Sequence, residues 1–251
     1  MGIYQWNPEM IQFMNQAAKD SIYYEELASH IIPHITEDCI VCDVGCGLGY
    51  LAIEIAKYCK KVYAVDISED VIDELKKRLK AEQIENVEAL CVDAFKWKPE
   101  DQIDTTVYCM FGSLEEIDQI GKHLEVSQQF VVRRLAKEHR FKIKEHKPRK
   151  HRHSAQGMLE ELEQKGRICD YVEMTASLDQ PFKNLKEAVR FFELYNKTEE
   201  KITLEDVKER LIKQENEEYP YVFPAEKRMG LIHFNMDKIY KRKCEQHEKD
   251  F

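Results

Sequence analysis

The sequence predicts a doubly wound α/β fold, in which helices cover both faces of a parallel sheet. Five short apolar runs, typical of buried strands, follow one another along the chain, at residues 39–44, 61–66, 87–93, 105–111 and 129–135. Amphipathic stretches separate the first three runs, and one of them shows apolar residues at helical spacing after Ser68, a favourable N-cap. Strand and helix alternating in this order form right-handed βαβ units, which place the strands parallel.

The segments outside these units complete the predicted organisation. Residues 1–35 are expected to form a helical cap segment, because residues 7–32 show helical periodicity. The α/β core is predicted over residues 36–178, and a last strand with a polar tail over residues 227–251. Residues 179–226 contain two helical patterns but too few residues for a core of their own, so we expect them to pack on the main domain as a helical insertion or cap.

Composition limits the class of protein. The chain has 251 residues and a formal net charge of −9, which argues against a surface built wholly for nucleic acid. It has no run of about 20 apolar residues, the length that crosses a membrane. The first residues also lack the basic and apolar regions of a secretory signal. We therefore expect a cytoplasmic protein without membrane contact.

The eight cysteines favour the same compartment, since most lie in apolar runs rather than in turn-rich sequence. Cys39 and Cys42 form a CxxC pattern inside the first predicted strand. Residues three apart on a strand point to opposite faces of the sheet, so these two thiols are poorly placed to share a metal ion or to form a disulfide. Core packing is the favoured interpretation, and no metal site is predicted.

A glycine-rich turn follows the first strand and is the most informative segment. Its pattern is Asp43-x-Gly45-x-Gly47-x-Gly49, and a helix is predicted to begin at about Tyr50. Glycines permit positive φ and close approach of a ligand, and the helix start offers unpaired amides. The pattern differs both from a dinucleotide fingerprint and from a phosphate loop. A carboxylate beside the turn suits a ligand that carries positive charge.

Two further acids end the next two predicted strands. Asp66 ends the second strand, where it can accept hydrogen bonds from ribose hydroxyls, and Asp93 ends the third, where it can meet an adenine amino group. With Asp43, this places three acids at one edge of the sheet, the edge where α/β folds bind their ligands.

These segments resemble the class I S-adenosylmethionine-dependent methyltransferases, through DVGCGLG, VDIS, VDAF and IDTTVYCMFG, over residues 36–135. The resemblance implies S-adenosyl-L-methionine as cofactor. It also implies a Rossmann-like, mostly parallel seven-stranded sheet with an antiparallel last strand, preceded by the insertion. The cofactor-binding residues expected from it are Asp43 near the ammonium group, Gly45, Cys46, Gly47 and Gly49 around the methionine part, Asp66 at the ribose, Ile67, Asp93 and Ala94 at the adenine, and Tyr108.

The methyl acceptor is less well defined by the sequence. After the fourth strand the chain has neither the Asn/Asp-Pro-Pro-aromatic motif of amino-methylating DNA enzymes nor the Pro-Cys pair of cytosine-C5 enzymes. An activated sulfonium needs little beyond correct positioning for in-line displacement. We therefore expect an enzyme that methylates a small molecule held under the cap. Tyr24, Tyr108 and His139 are candidates for a general base, with a structural role as the alternative for each.

A basic stretch and two aromatic clusters leave the acceptor's character open. Residues 133–152 contain ten Lys or Arg and only two acids, which suits a solvated loop, an anionic acceptor or an RNA backbone. Only Phe141 in this stretch could stack on a base, which disfavours RNA. The aromatics at 191–195 and 219–224 either pack a core or line an acceptor pocket with Trp6, Tyr23 and Tyr24. The alternatives are thus an RNA or protein methyltransferase recruiting its target through 133–152, or a non-catalytic cofactor-binding module; a monomer or homodimer is expected.

Overall fold

The computed structural model describes residues 6–135, 154–196 and 201–239, and within these ranges it contains ten strands and eight α-helices. The strands are β1 (Ile40–Val44), β2 (Lys61–Asp66), β3 (Val87–Cys91), β4 (Thr105–Cys109), β5 (Gln128–Arg134), β6 (Arg167–Ser177), β7 (Gln180–Phe182), β8 (Ile212–Lys213), β9 (Tyr221–Phe223) and β10 (Glu226–Ile239). The helices are α1 (Pro8–Ala18), α2 (Tyr23–Ser29), α3 (Tyr50–Ala56), α4 (Glu69–Ala81), α5 (Leu114–His123), α6 (Ala155–Gln164), α7 (Leu185–Asn196) and α8 (Leu204–Lys208). No helix in these ranges combines the length and the apolar character that crossing a membrane requires.

Seven strands form the main sheet, in the order β3-β2-β1-β4-β5-β10-β6. β10 is antiparallel to both of its neighbours, and the other pairs are parallel. This mostly parallel, seven-stranded sheet confirms the predicted fold class. The strand order reverses between β1 and β4, and the crevice outside their carboxyl ends is where open α/β sheets bind ligands.

Each face of the sheet has its own apolar cluster. On one face Leu27 of α2 and Leu75 of α4 pack over Val41 of β1, and on the other Ile117 of α5 and Leu162 of α6 pack over β5. All five residues of β1 are buried, as expected for a parallel strand whose two faces are both covered by helices. The two cysteines of the CxxC pattern lie on opposite faces, as predicted from strand geometry.

The insertion before β10 differs from the helical cap predicted for it. Its strands β7, β9 and β8 form a second, three-stranded sheet, so the second helical pattern ends in a strand at Ile212–Lys213. The insertion shares an apolar core with α1 instead of forming one from its own residues alone. Phe182, Phe191 and Phe192 meet there with Phe13 of α1, whose ring lies edge-on to Phe191 at a centroid distance of 5.2 Å. The sequence prediction counted the insertion alone, whereas α1 supplies part of this core.

The N-terminal segment is therefore divided between two units. α1 belongs with the insertion, because Arg190 of α7 donates to both carboxylate oxygens of Glu9, at 2.8 and 2.6 Å. α2 instead packs on the main sheet, where Leu27 and Ala28 are buried. We call α1 together with residues 180–196 and 201–223 the cap.

Candidate cofactor site

The glycine turn joins β1 to α3 in a conformation that residues with a side chain rarely adopt. Gly45, Gly47 and Gly49 have φ of 71°, 54° and 73°, all in the left-handed region. A Cβ on Gly45 would lie 2.4 Å from a ring carbon of Phe111, and one on Gly49 would lie 2.5 Å from the methyl groups of Leu75. Both the backbone conformation and the close neighbours therefore require glycine here.

Asp66 holds this turn against the start of α4. One carboxylate oxygen accepts a hydrogen bond from the Gly47 amide at 2.9 Å, and the other accepts one from the Ser68 amide at 2.9 Å. Each carboxylate oxygen has a second acceptor site. The half-buried Asp66 can therefore accept hydrogen bonds from two hydroxyls while it keeps both backbone contacts.

Asp43 is a buried carboxylate at the carboxyl end of β1. Its side chain is 1% exposed, and Oδ1 has no hydrogen-bond partner among the described residues. Burial, with a smaller contribution from the negative charge of Asp66, raises the pKa of Asp43 to about 7. A buried acceptor without a donor costs free energy, and a cationic group bound beside it would satisfy that oxygen.

Asp93 lies at the end of β3, beside the end of β2. The Val92 amide donates to the backbone oxygen of Asp66 at 2.9 Å, so the two strand ends are joined. Oδ1 of Asp93 accepts from the Phe95 amide at 3.0 Å, and its Oδ2 lies 3.2 Å from Nζ of Lys96. Two apolar side chains stay exposed at this edge, Ile67 at 52% and Phe95 at 37%. Apolar groups flanking a carboxylate suit a planar base with an exocyclic amino group.

The remaining predicted residues of the turn and the adenine side lie where the sequence suggests, close to those acids. Cys46 follows Gly45, and its amide donates to the Val65 oxygen at 3.1 Å, which seats the turn on the end of β2. Ala94 is buried directly after Asp93.

Two of the three candidates for a general base, Tyr24 and Tyr108, lie in the described residues and pack in the apolar clusters on opposite faces of the sheet. Tyr24 stacks on Tyr50 at a centroid distance of 5.2 Å, and its hydroxyl donates to the sulfur of Met14 at 3.7 Å. Tyr108 is fully buried among the residues under α5, on the face opposite Asp43, and its hydroxyl has no partner among the described residues. Burial raises the pKa of both phenols, so both stay protonated near neutral pH. The contact of Tyr108 with the cofactor stays a prediction.

His139 and most of the basic stretch 133–152 lie outside the described residues. Of that stretch, the structure describes Arg133, Arg134 and Leu135. Phe191 and Phe192, one of the two aromatic clusters, pack the core of the cap rather than a pocket.

Arg133 is a residue whose position the sequence analysis missed. It is 4% exposed, and its Nη2 donates to the backbone oxygens of Phe111 and Gly112 just beyond β4. Burial lowers the pKa of Arg133 to about 10, which leaves it charged at neutral pH. The sequence does contain an indication that Arg133 is buried, because alternation along β5 puts it on the same face as the buried Val131. The basic residues that follow made Arg133 look like part of an exposed basic stretch.

Comparison with known proteins agrees with this geometry. A family model described as "Methyltransferase domain" matches residues 41–129, which include the glycine turn, Asp66 and Asp93. A protein of Methanocaldococcus jannaschii described as "Probable cobalt-precorrin-6B C(15)-methyltransferase (decarboxylating)" is 33% identical over 94 residues, which is 37% of this chain and 49% of that protein. A Methanococcus maripaludis protein with the same description is 34% identical over 104 residues, which is 41% of this chain and 57% of that protein.

The chain thus spans about half the length of the curated relatives it matches. Among solved structures, that of a SAM dependent methyltransferase from Aquifex aeolicus is similar with a TM-score of 0.50 and 15% identity, over 89% of this chain and 99% of that one. At that identity the likeness concerns the fold.

Proposed function

We propose that this chain, which carries a class I S-adenosylmethionine-dependent methyltransferase domain, transfers a methyl group from S-adenosyl-L-methionine to a small-molecule acceptor beneath the cap. The observation that carries the proposal is Oδ1 of Asp43, a buried carboxylate oxygen without a partner among the described residues, directly before the glycine turn. An ammonium group is the complement that this oxygen lacks.

The residues around the turn fit the other parts of this cofactor. Asp66 would accept hydrogen bonds from the ribose hydroxyls, and Asp93 would accept one from the adenine amino group. Ile67 and Ala94 would contact the base, and the glycines allow the methionine part to approach the backbone. When bound, the cofactor supplies an activated methyl group on a sulfonium, and the protein's contribution is to bind, orient and exclude water.

An anionic acceptor is favoured by Arg134, the residue that ends β5. No carboxylate among the described residues forms an ion pair with Arg134, whose positive charge acts on Tyr23 of α2 and on Cys109 at the carboxyl end of β4. A charge that is partly removed from water is normally paired, because desolvating an ion costs on the order of several kcal/mol. We infer that an acceptor carboxylate at this edge pairs with Arg134, whereas Arg133 is bound to the backbone oxygens of Phe111 and Gly112 on the face covered by α5 and α6. The relatives are described as methyltransferases of cobalt-precorrin-6B, so that compound is the first acceptor to test.

A dedicated base among the predicted tyrosines is unnecessary for this chemistry. Tyr24 and Tyr108 are held protonated by burial, so neither would take a proton near neutral pH. Positioning of the acceptor against the methyl group is then the main contribution, and His139 stays a candidate for proton removal.

We also propose that the protein acts in the cytoplasm, as a monomer or a homodimer. The seven cysteines in the described residues are all free thiols, which suits a reducing compartment. Sedimentation at several protein concentrations measures the oligomeric state, and a larger assembly would contradict this part of the proposal.

Calorimetric titration with S-adenosyl-L-methionine tests the cofactor assignment. We expect the unaltered protein to bind, and Asp43→Asn and Asp66→Ala to weaken binding at least about tenfold, because each loses a charge-assisted contact. Asp73→Asn is the matched control, since Asp73 is an exposed acid on α4. Absence of binding by the unaltered protein would overturn the proposed function.

Transfer of a labelled methyl group tests the acceptor. We expect label on cobalt-precorrin-6B or on another carboxylate-bearing small molecule, and less transfer by Arg134→Gln. Label on RNA or protein would instead support recruitment through 133–152. Cofactor binding without transfer to any pool would support the non-catalytic module.

A further inference from the structure

Arg78 of α4 makes an unusual set of contacts for a residue on an outer helix. Its Nη1 donates to the backbone oxygen of Leu48 at 2.8 Å, and its Nη2 donates to the hydroxyl of Tyr50 at 2.8 Å and to Oδ1 of Asn15 at 2.9 Å. The guanidinium carbon also lies 3.8 Å from the centre of the Tyr50 ring. Its neighbour Lys77, in contrast, is 75% exposed. The Arg78 side chain therefore faces α1 and the glycine turn, not solvent.

Asn15 of α1 completes the network from the cap side. Its Oδ1 accepts from the Tyr50 hydroxyl at 2.8 Å as well as from Arg78, and its Nδ2 donates to Oε1 of Glu74 at 3.2 Å. The Tyr50 ring is in turn stacked by Tyr24. Every polar atom of the Asn15 side chain is therefore used in contacts with α3 and α4.

These contacts join the glycine turn to α1. Leu48 lies inside the glycine turn, between Gly47 and Gly49, so Arg78 fixes a carbonyl of the turn. Asn15 lies on α1, which also supplies Phe13 to the core of the cap. Trp6, two residues before α1, also lies beside the turn, since its ring is 3.3 Å from the position that a Cβ on Gly47 would take.

We propose that Arg78 is a positioning residue that couples the cap to the cofactor turn. The planar guanidinium donates to the turn and to α1 at once, and a lysine ammonium lacks the fixed fork to do so. Displacement of α1 would release the carbonyl of Leu48, and an ordered turn would hold α1 in place. Cofactor binding and the ordered position of α1 therefore favour each other, since such coupling is reciprocal. This inference rests on the proposed function for the identity of the ligand.

Calorimetry with S-adenosyl-L-methionine on Asn15→Ala, Arg78→Lys and the double variant tests the coupling. We expect Arg78→Lys to raise Kd about tenfold and Asn15→Ala to raise it about threefold, because each loses hydrogen bonds to a charged group. The double variant should raise Kd by less than the product of the two factors, since both substitutions break one network. Lys77→Ala, on the same helix, should leave Kd unchanged.

The effect of cofactor on amide hydrogen exchange in α1 distinguishes coupling from a purely structural role of these residues. In the unaltered protein and in Lys77→Ala, cofactor should slow amide exchange in α1, although the proposed cofactor contacts lie on other elements. In Asn15→Ala this slowing should disappear while exchange in β1 and β2 is unchanged. Arg190→Gln breaks the contact of α1 with α7 instead and should keep the slowing.

The outcomes separate this inference from the proposed function. If the unaltered protein binds and Asn15→Ala shows the same Kd and the same slowing, the coupling is wrong. If Arg78→Lys fails to fold, Tyr50→Phe removes only the hydroxyl of the network and answers the same question. If the unaltered protein does not bind, the proposed function fails. The link between α1 and the glycine turn is then tested by hydrogen exchange without cofactor. Asn15→Ala should speed amide exchange both in α1 and in the turn, and unchanged exchange in either would refute the link.

Discussion

Replacing Asp43 with asparagine is expected to make the unliganded protein more stable above about pH 7. Asp43→Asn keeps the size of the side chain and removes a buried negative charge whose Oδ1 has no partner among the described residues. Burial and the nearby charge of Asp66 raise its pKa in the folded protein from an ordinary 3.8 to about 7. The folded protein therefore holds a proton on Asp43 over a range in which the unfolded chain has lost it.

The sign and size of the effect follow from that difference. Between the two pKa values the folded state binds more protons, so the free energy of unfolding falls as pH rises, and the loss is complete above the folded pKa. At about 1.4 kcal/mol for each pH unit, the difference between 3.8 and about 7 corresponds to a loss of about 4 kcal/mol as a ceiling. Asp43→Asn lacks this loss, so its gain over the unaltered protein should grow from near zero at low pH to a maximum above the folded pKa.

Urea unfolding at about pH 5 and about pH 8, without cofactor, measures this gain, and equal slopes would show that only stability has changed. Asp73→Asn is the control, because this exposed acid should change stability by no more than about 0.5 kcal/mol at either pH. The reasoning would be refuted if Asp43→Asn were less stable than the unaltered protein at the higher pH, or if its gain were the same at both.

Three further outcomes are expected. The Kd of the unaltered protein for S-adenosyl-L-methionine should fall as pH rises through about 7, because ionised Asp43 is the form that pairs with an ammonium group. Calorimetry should find no such pH dependence in Asp43→Asn. If Asp43→Asn keeps the dependence, another group causes it. Gly45→Ala should lower the free energy of unfolding by about 2 kcal/mol, because its φ is 71° and its Cβ would meet the Phe111 ring; an unchanged urea midpoint would contradict the close contact. Phe192→Ala should cost about 3–5 kcal/mol of stability in the cap, measured by hydrogen exchange in α7, and a neutral result would mean that the cap core is not close-packed.

The strands and the glycine turn were predictable because their signals are local. Each of the five apolar runs ends within two residues of an observed strand boundary; for example, the run at 129–135 is β5 at Gln128–Arg134. The glycine turn followed from the conformations that only glycine adopts readily, and the structure shows the positive φ of Gly45, Gly47 and Gly49. The position of Asp66 at a strand end likewise followed from the pattern of the run before it.

The parts that were missed depend on contacts between distant segments. Phe13 joins Phe182 and Phe191 across the chain, and no local pattern links α1 with the insertion. Ile212–Lys213 forms a strand because β9 pairs with it, although its own sequence continues a helical pattern. Arg78 carries no local signal either, since its partners on α1 and in the turn are brought to it by the fold.

The entry and exit of the insertion lie side by side on the sheet. Ser177 at the end of β6 is the cross-strand partner of Glu226 at the start of β10, and the Leu178 amide donates to the backbone oxygen of Ala225 at 3.1 Å. A tight hairpin could join the same two strands, so the order of strands in the sheet does not depend on which segment is inserted between them. Evolution or protein engineering can therefore exchange this module for another while the glycine turn, Asp43 and Asp66 stay as they are. Such a graft must also cover the exposed side of α1, because Phe13 would otherwise lose its partners Phe182 and Phe191.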